Sequence, residues 1–266
     1  MNKQLYAMVT TNCNLQCPHC EIRTRPDNYN RDKFINTINS FDGPVMLFGG
    51  EPTLYEDRLF DIIDNNSAKN IMTISTNLIF MNERLLKFYR TLNNCMATSW
   101  NPNRFTNEQY RTWLSNLNIL DNNNLKCLVL ITLTNDLFDM GAEKFIDICK
   151  EWNHNAIYSI KFEYYVGNNT EDYYQRADQF LCDVYKLNDT KLYISNIDIV
   201  RNGYCVDCSN IYTLSPNGMI THGCPLGYKA DLPIECSSCE RSEYCKPCHL
   251  HKHCPFPHNF EKLIKS

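Results

Sequence analysis

The chain has 266 residues, 43% of them apolar, enough for one sizeable core with a small appendage. A net charge of −4 and a pI near 6.0 argue against non-specific nucleic-acid binding. No apolar run approaches a membrane span, and residues 1–13 hold neither a long apolar stretch nor a secretory cleavage site, so a cytoplasmic location is expected.

Short apolar runs rich in β-branched and aromatic residues predict strands at 5–9, 45–48, 71–75, 96–100, 127–133 and 157–165. Amphipathic stretches at 31–40, 59–66, 83–92, 107–117, 142–152 and 173–186 predict the alternating helices. Phe180, Leu181, Val184, Tyr185 and Leu187 recur at helical spacing. Six βα repeats predict a parallel sheet with helices outside, curled into a barrel or partial barrel, with its chemistry at the C-terminal strand ends. Residues 191–199 read as one further strand. From Arg201 onward Cys, Pro, Gly and His dominate and helical periodicity ends. Residues 211–214 and 219–221 flank the turn residues Ser215, Pro216, Asn217 and Gly218 and read as a β-hairpin. A tail with so little apolar surface needs a covalent or metallic staple. The expected division is a barrel at 1–200 and a small cysteine-rich domain at 201–266.

Fifteen cysteines are too many for an ordinary cytosolic protein of this size and point to metal ligation or catalysis. Cys95, Cys127, Cys149 and Cys182 are scattered in or beside apolar segments and read as small buried hydrophobes. Cys13, Cys17 and Cys20 follow the first strand at spacings of three and two residues. Thiolates so spaced can bind three irons of a cubane and leave the fourth iron open to a chelating small molecule. The same three, with His19 or another fourth ligand, also form a zinc set. Cys205, Cys208, Cys224, Cys236, Cys239, Cys245, Cys248 and Cys254 form a second group. Eight thiolates suffice for two fully ligated cubanes or for two four-cysteine zinc sites, and the spacing alone does not choose. The nearby His249, His251 and His253 fit zinc on local spacing.

The triad, Cys13-Asn14-Leu15-Gln16-Cys17-Pro18-His19-Cys20, resembles the C-x3-C-x2-C motif of the radical S-adenosylmethionine (SAM) superfamily. That motif occupies the loop after the first strand of a partial (β/α)6 TIM-like barrel. Phe48, Gly49, Gly50, Glu51 and Pro52 end the second predicted strand and resemble the family's GGEP motif. Glycine there lets the backbone approach a ligand closely. The resemblance implies that the Gly49–Pro52 edge and Glu51 contact the SAM amino group. It also implies that Ser75, Thr76 and Asn77, ending the third strand, approach its ribose or carboxylate. Ser99 ends the fourth strand, where many relatives carry Ser-x-Asp; Asn101 replaces the acid. His19 stands where relatives usually place an aromatic residue near the adenine. The plain alternative for Ser75, Asn77 and Ser99 is capping of the helices that follow.

The eight distal cysteines resemble the SPASM extension of peptide-modifying radical SAM enzymes, with Gly218 as the hairpin glycine. The resemblance implies one auxiliary cluster on Cys205, Cys208, Cys224 and Cys248, and another on Cys236, Cys239, Cys245 and Cys254. Two residues, where relatives usually have three, separate Cys245 from Cys248. Pro225 stands where sulfatase-maturing relatives carry an aspartate, which counts against formylglycine formation.

These likenesses imply an oxidoreductase that reductively cleaves SAM to a 5′-deoxyadenosyl radical and oxidatively modifies a C–H bond of a peptide or protein, as in cross-link or thioether maturases. The implied cofactors are one SAM-binding 4Fe-4S cluster, two auxiliary 4Fe-4S clusters and SAM. The implied electron donor is a flavodoxin or ferredoxin. Two alternatives stand beside this reading: a radical SAM enzyme with a small-molecule or nucleotide substrate, and a non-catalytic zinc or iron–sulfur protein. Glu163, Tyr164 and Tyr165 end the sixth strand as candidate substrate contacts, although a buried tyrosine bonded to backbone is the plainer account.

Overall fold

A computed structural model describes residues 3–20, 22–92, 96–164, 171–189, 193–194 and 211–222. These fall into two compact units, residues up to 98 with the 211–222 hairpin, and residues 99–194. The eight distal cysteines, Cys95, Tyr165 and the expected boundary at residue 200 lie outside the described residues. The strands are β1 (Gln4–Thr10), β2 (Val45–Gly49), β3 (Ile71–Ser75), β4 (Met96–Ser99), β5 (Cys127–Leu133), β6 (Ile157–Tyr164), β7 (Ile211–Leu214) and β8 (Ile220–His222). The α-helices are α1 (Arg31–Ser40), α2 (Glu56–Asp64), α3 (Glu83–Thr91), α4 (Asn107–Asn122), α5 (Asn135–Met140), α6 (Ala142–Lys150) and α7 (Glu171–Leu187).

In the first unit β1 pairs with β2, β2 with β3 and β3 with β4, all parallel. Parallel neighbours cannot be joined by a tight turn, so α1, α2 and α3 make the crossovers. Each buries one face: Phe34, Ile35 and Ile38; Leu59, Phe60 and Ile62; Leu85, Leu86, Phe88 and Tyr89. Asn30 and Asn82 cap α1 and α3 by accepting from the backbone N–H groups of Lys33 and Leu85. The hairpin joins the same sheet. β7 runs parallel to β1, from Gln4↔Ile211 to Ala7↔Leu214, and β8 pairs antiparallel with β7. Its turn docks on the start of α1. The N–H of Asn30 donates to the carbonyl of Pro216 at 2.8 Å. Gly218 has φ +81°, and a Cβ there would lie 2.3 Å from Cβ of Lys33.

In the second unit β5 and β6 run parallel from Cys127↔Ile157 to Leu133↔Tyr164. A cluster of aromatic rings fills the core beside them: Trp113 meets Trp152 edge-on at 5.3 Å, and Trp100 lies 5.7 Å from Trp152. Thr106 and Gln109 form a reciprocal capping box at the start of α4. Ile160 bridges in parallel to Ile194, and its N–H donates to the carbonyl of Tyr193 at 2.8 Å. That pairing falls within the strand expected at 191–199. The expected alternation of mostly parallel strands and helices is thus the arrangement found, with α5 as an unanticipated addition. No described helix is long and apolar enough to cross a membrane.

Candidate functional site

The loop leaving β1 at Thr10 carries the triad. Cys17 is buried, Cys13 and Cys20 are half-buried, and none of the three is in a disulfide. Buried Leu15 anchors the loop between them. A turn closes where the N–H of Cys20 donates to the carbonyl of Cys17 at 3.1 Å. The N–H of Leu15 points at Sγ of Cys13 from 3.4 Å, the kind of donor that tunes a thiolate ligand. Among the described residues no three His, Cys, Asp or Glu side chains converge on one metal-ion position. Three thiol side chains on one loop are donors of the kind an iron–sulfur cluster takes, one to each iron, and equally of the kind zinc takes.

The end of β2 lies directly against the run into Cys13. The N–H groups of Gly50 and Glu51 donate to the carbonyls of Thr10 and Asn12, each at 2.8 Å. A Cβ on Gly49 would sit 2.2 Å from the Thr10 oxygen, and one on Gly50 2.2 Å from the Asn12 oxygen. The close approach that these glycines permit is to the chain's own backbone.

Glu51 is 1% exposed. Its Oε1 accepts from the Thr53 N–H at 3.0 Å, the Thr53 hydroxyl at 2.7 Å and the Thr76 hydroxyl at 2.8 Å. Its Oε2 accepts from the N–H of Asn77. Burial pushes its pKa up, and these hydrogen bonds pull the other way. The carboxylate thereby joins the turn after β2 to the end of β3. Asn77 extends the connection: its Nδ2 donates to Oδ1 of Asn14, between Cys13 and Cys17, at 2.6 Å. Thr76 and Asn77 also accept from the N–H groups of Leu78 and Ile79, two residues on, at 3.1 and 3.0 Å. These turns accompany the left-handed φ of +59° at Leu78, a fully buried residue.

Ser75 and Ser99 close β3 and β4 and are half-buried, as is His19 in the cysteine loop. Helix capping accounts for none of Ser75, Asn77 and Ser99, because Asn82 and Thr106 cap the helices that follow. Asn101 in the second unit is 3% exposed and mimics a strand partner. Its Nδ2 donates to the carbonyl of Thr132 at 2.6 Å, and its Oδ1 accepts from the Thr132 N–H at 3.1 Å. An aspartate there could not donate. Glu163 is exposed and pairs with Lys161 at 3.0 Å. Tyr173 of α7 is buried, and its hydroxyl donates to the carbonyl of Leu133 at 2.8 Å. Cys127, Cys149 and Cys182 are buried, and burial pushes their thiol pKa values up, that of Cys127 to about 12 and that of Cys182 to about 11. They are inert packing residues, as expected.

Sequence reasoning missed the polar residues that frame the loop, Thr10, Asn12, Asn14, Asp27, Thr53 and Arg58. Asn14, inside the cysteine motif, and Asn12 and Thr53, adjoining the two motifs, stood near a readable signal.

Solved structures that match across 100% of this chain include two of SuiB from Streptococcus suis, one alone and one bound to S-adenosylmethionine. Their TM-scores are 0.57 and 0.59. The chain shares the fold of SuiB. Identity to SuiB is 16% and 14% in the two alignments, which cover 74% and 73% of the SuiB chains. No protein-family model and no curated protein matches the sequence. The likeness to SuiB is therefore one of backbone arrangement, and the chemistry must be argued from the residues above.

Proposed function

We propose that the chain is a radical SAM enzyme that oxidatively modifies a C–H bond of a peptide or protein, as a cross-link- or thioether-forming maturase. The observation that carries this reading is the hydrogen-bonded unit of cysteine loop, GGEP turn and β3 end, assembled through Asn14, Asn77 and Glu51. The fold shared with SuiB, a protein solved with SAM bound, supports it. On this reading Cys13, Cys17 and Cys20 hold a 4Fe-4S cluster. A cluster bound there and reduced by a flavodoxin or ferredoxin would supply the electron for reductive cleavage of SAM to methionine and a 5′-deoxyadenosyl radical.

The chain's part is to bind, orient and exclude water. The backbone edge from Gly49 to Pro52 receives the amino group of SAM, with Ser75 near its ribose or carboxylate and His19 near the adenine. Glu51 has four intrachain donors, so it serves SAM chiefly by fixing that edge. Asn77 likewise acts through Asn14. The distal cysteines would hold two auxiliary clusters, whose chemistry there would be uptake of an electron.

Metal analysis after anaerobic reconstitution tests this. About twelve irons with equal sulfide are expected per chain, about four of them lost when Cys13, Cys17 and Cys20 become alanine. Four irons with one or two zincs would make the tail structural and favour a small-molecule or nucleotide substrate. Zinc without iron would contradict the proposal. Turnover of candidate peptides against nucleosides then separates the substrate classes.

A further inference from the structure

The cysteine loop leaves the sheet at Thr10 and ends at Asn30, the cap of α1. A single carboxylate ties its two ends together. Asp27, near the end, accepts from the Thr10 hydroxyl at 2.8 Å and from Asn12 Nδ2 at 3.0 Å, both at the start. Arg58 of α2 donates to the same carboxylate from Nη1 at 2.9 Å, and to the carbonyl of Val9 at 3.0 Å. Its guanidinium lies over the rings of Tyr29 and Tyr55, 4.2 and 4.8 Å from their centres. The Tyr55 hydroxyl accepts a further bond from Asn12 Nδ2 at 2.9 Å.

This pair is unlike the molecule's other described ion pairs. The side chains of Asp27 and Arg58 are 12% and 17% exposed. In every other described pair one partner is at least 45% exposed. Exposed pairs contribute little. A part-buried pair held by further hydrogen bonds favours one arrangement, because breaking it leaves a charge with little access to water. What it fixes here is the span holding all three triad cysteines.

We propose that Asp27 and Arg58 are positioning residues for the triad: a clasp that closes the loop on itself and holds Cys13, Cys17 and Cys20 ready for the cluster. The inference rests on the proposed role of the triad as cluster ligands. Without the clasp, ordering the loop would have to accompany metal binding, and the affinity would fall by that amount. With it, the loop is ordered when the protein folds.

Asp27→Ala, Arg58→Ala and the conservative Arg58→Lys test this in the full chain, with far-UV circular dichroism confirming the fold. In the metal-free protein, alkylation of buried Cys17 by iodoacetamide is followed by peptide mass spectrometry. It is expected to quicken at least tenfold in both alanine variants and to stay within about threefold of the parent in Arg58→Lys. After reconstitution, the triad's cluster is read from the electron paramagnetic resonance of the reduced protein and its change on adding SAM. The Cys13→Ala, Cys17→Ala, Cys20→Ala protein is subtracted to remove other clusters. Occupancy is expected to fall at least threefold in the alanine variants and to recover in Arg58→Lys. Folded alanine variants with the parent's alkylation rate would overturn the proposal, as would faster alkylation with undiminished occupancy. Should Asp27→Ala not fold, Asp27→Asn carries the same test, since it keeps an acceptor for Thr10 and Asn12 and loses the ion pair. A parent protein that takes up no cluster at the triad contradicts the proposed function instead, a result read from the parent alone.

Discussion

Glu51 brings a carboxylate to a site where the donors that hold it are all neutral: two hydroxyls and two backbone N–H groups. Replacing it with glutamine keeps the shape but turns one acceptor into a donor facing donors. Glu51→Gln is expected to cost about 1–3 kcal/mol in urea denaturation at neutral pH. An unchanged midpoint would show that the carboxylate is not the junction described. Its raised pKa sets the sign of a pH effect. The folded state favours the protonated form, so this group's contribution is complete below the ordinary carboxylate range. It is lost as pH rises through the raised folded value. Asn101 offers a cleaner case in the second unit. Asn101→Asp removes the donor to the Thr132 carbonyl and buries a charge, and about 1–3 kcal/mol of lost stability is expected from the same measurement.

At the scale of elements, the turn after β2 and the loop after β1 touch through backbone alone. Gly50→Ala would push a methyl to 2.2 Å from the Asn12 carbonyl. It is expected to cost about 1–3 kcal/mol and to lower cluster loading, since the run into Cys13 must move. Gly141→Ala is the control: its Cβ would meet nothing within 4 Å, so its cost comes only from the φ of +82° and cluster loading should be unaffected. Equal loading by both variants would mean that the contact does not position the loop. The buried cysteines supply a contrast with the triad. Their raised pKa values keep Cys127 and Cys182 as thiols at pH 8, so folded, metal-free protein should be alkylated by iodoacetamide at Cys13 and Cys20 long before Cys127, Cys149 or Cys182. The strands and long helices were legible because apolar alternation and helical periodicity are local properties of the chain. The hairpin was legible from its turn residues, but its place beside β1 was not, since pairing partners distant in sequence leave no local mark. The short α5 is too brief to display a helical stripe.

For the whole molecule, the part of the site written in the sequence is the part with fixed local spacing, the triad and the GGEP turn. What joins them was not written there. Asp27 and Arg58, or Asn14 and Asn77, are polar residues dozens of positions apart with no periodicity to link them, and only the folded sheet brings them together. The glycines were legible as a point of close approach, but the partner proved to be the chain's own backbone. The fold of SuiB accommodates this chain at 16% identity because the pattern of buried strands, rather than particular residues, specifies such a sheet.

The most direct test is to supply SAM and a strong reductant to the reconstituted protein and to measure 5′-deoxyadenosine and methionine. The account expects both products in the parent and neither in Cys17→Ala. A protein that carries iron at the triad yet leaves SAM intact, or a Cys17→Ala variant that cleaves SAM as well as the parent, would contradict it.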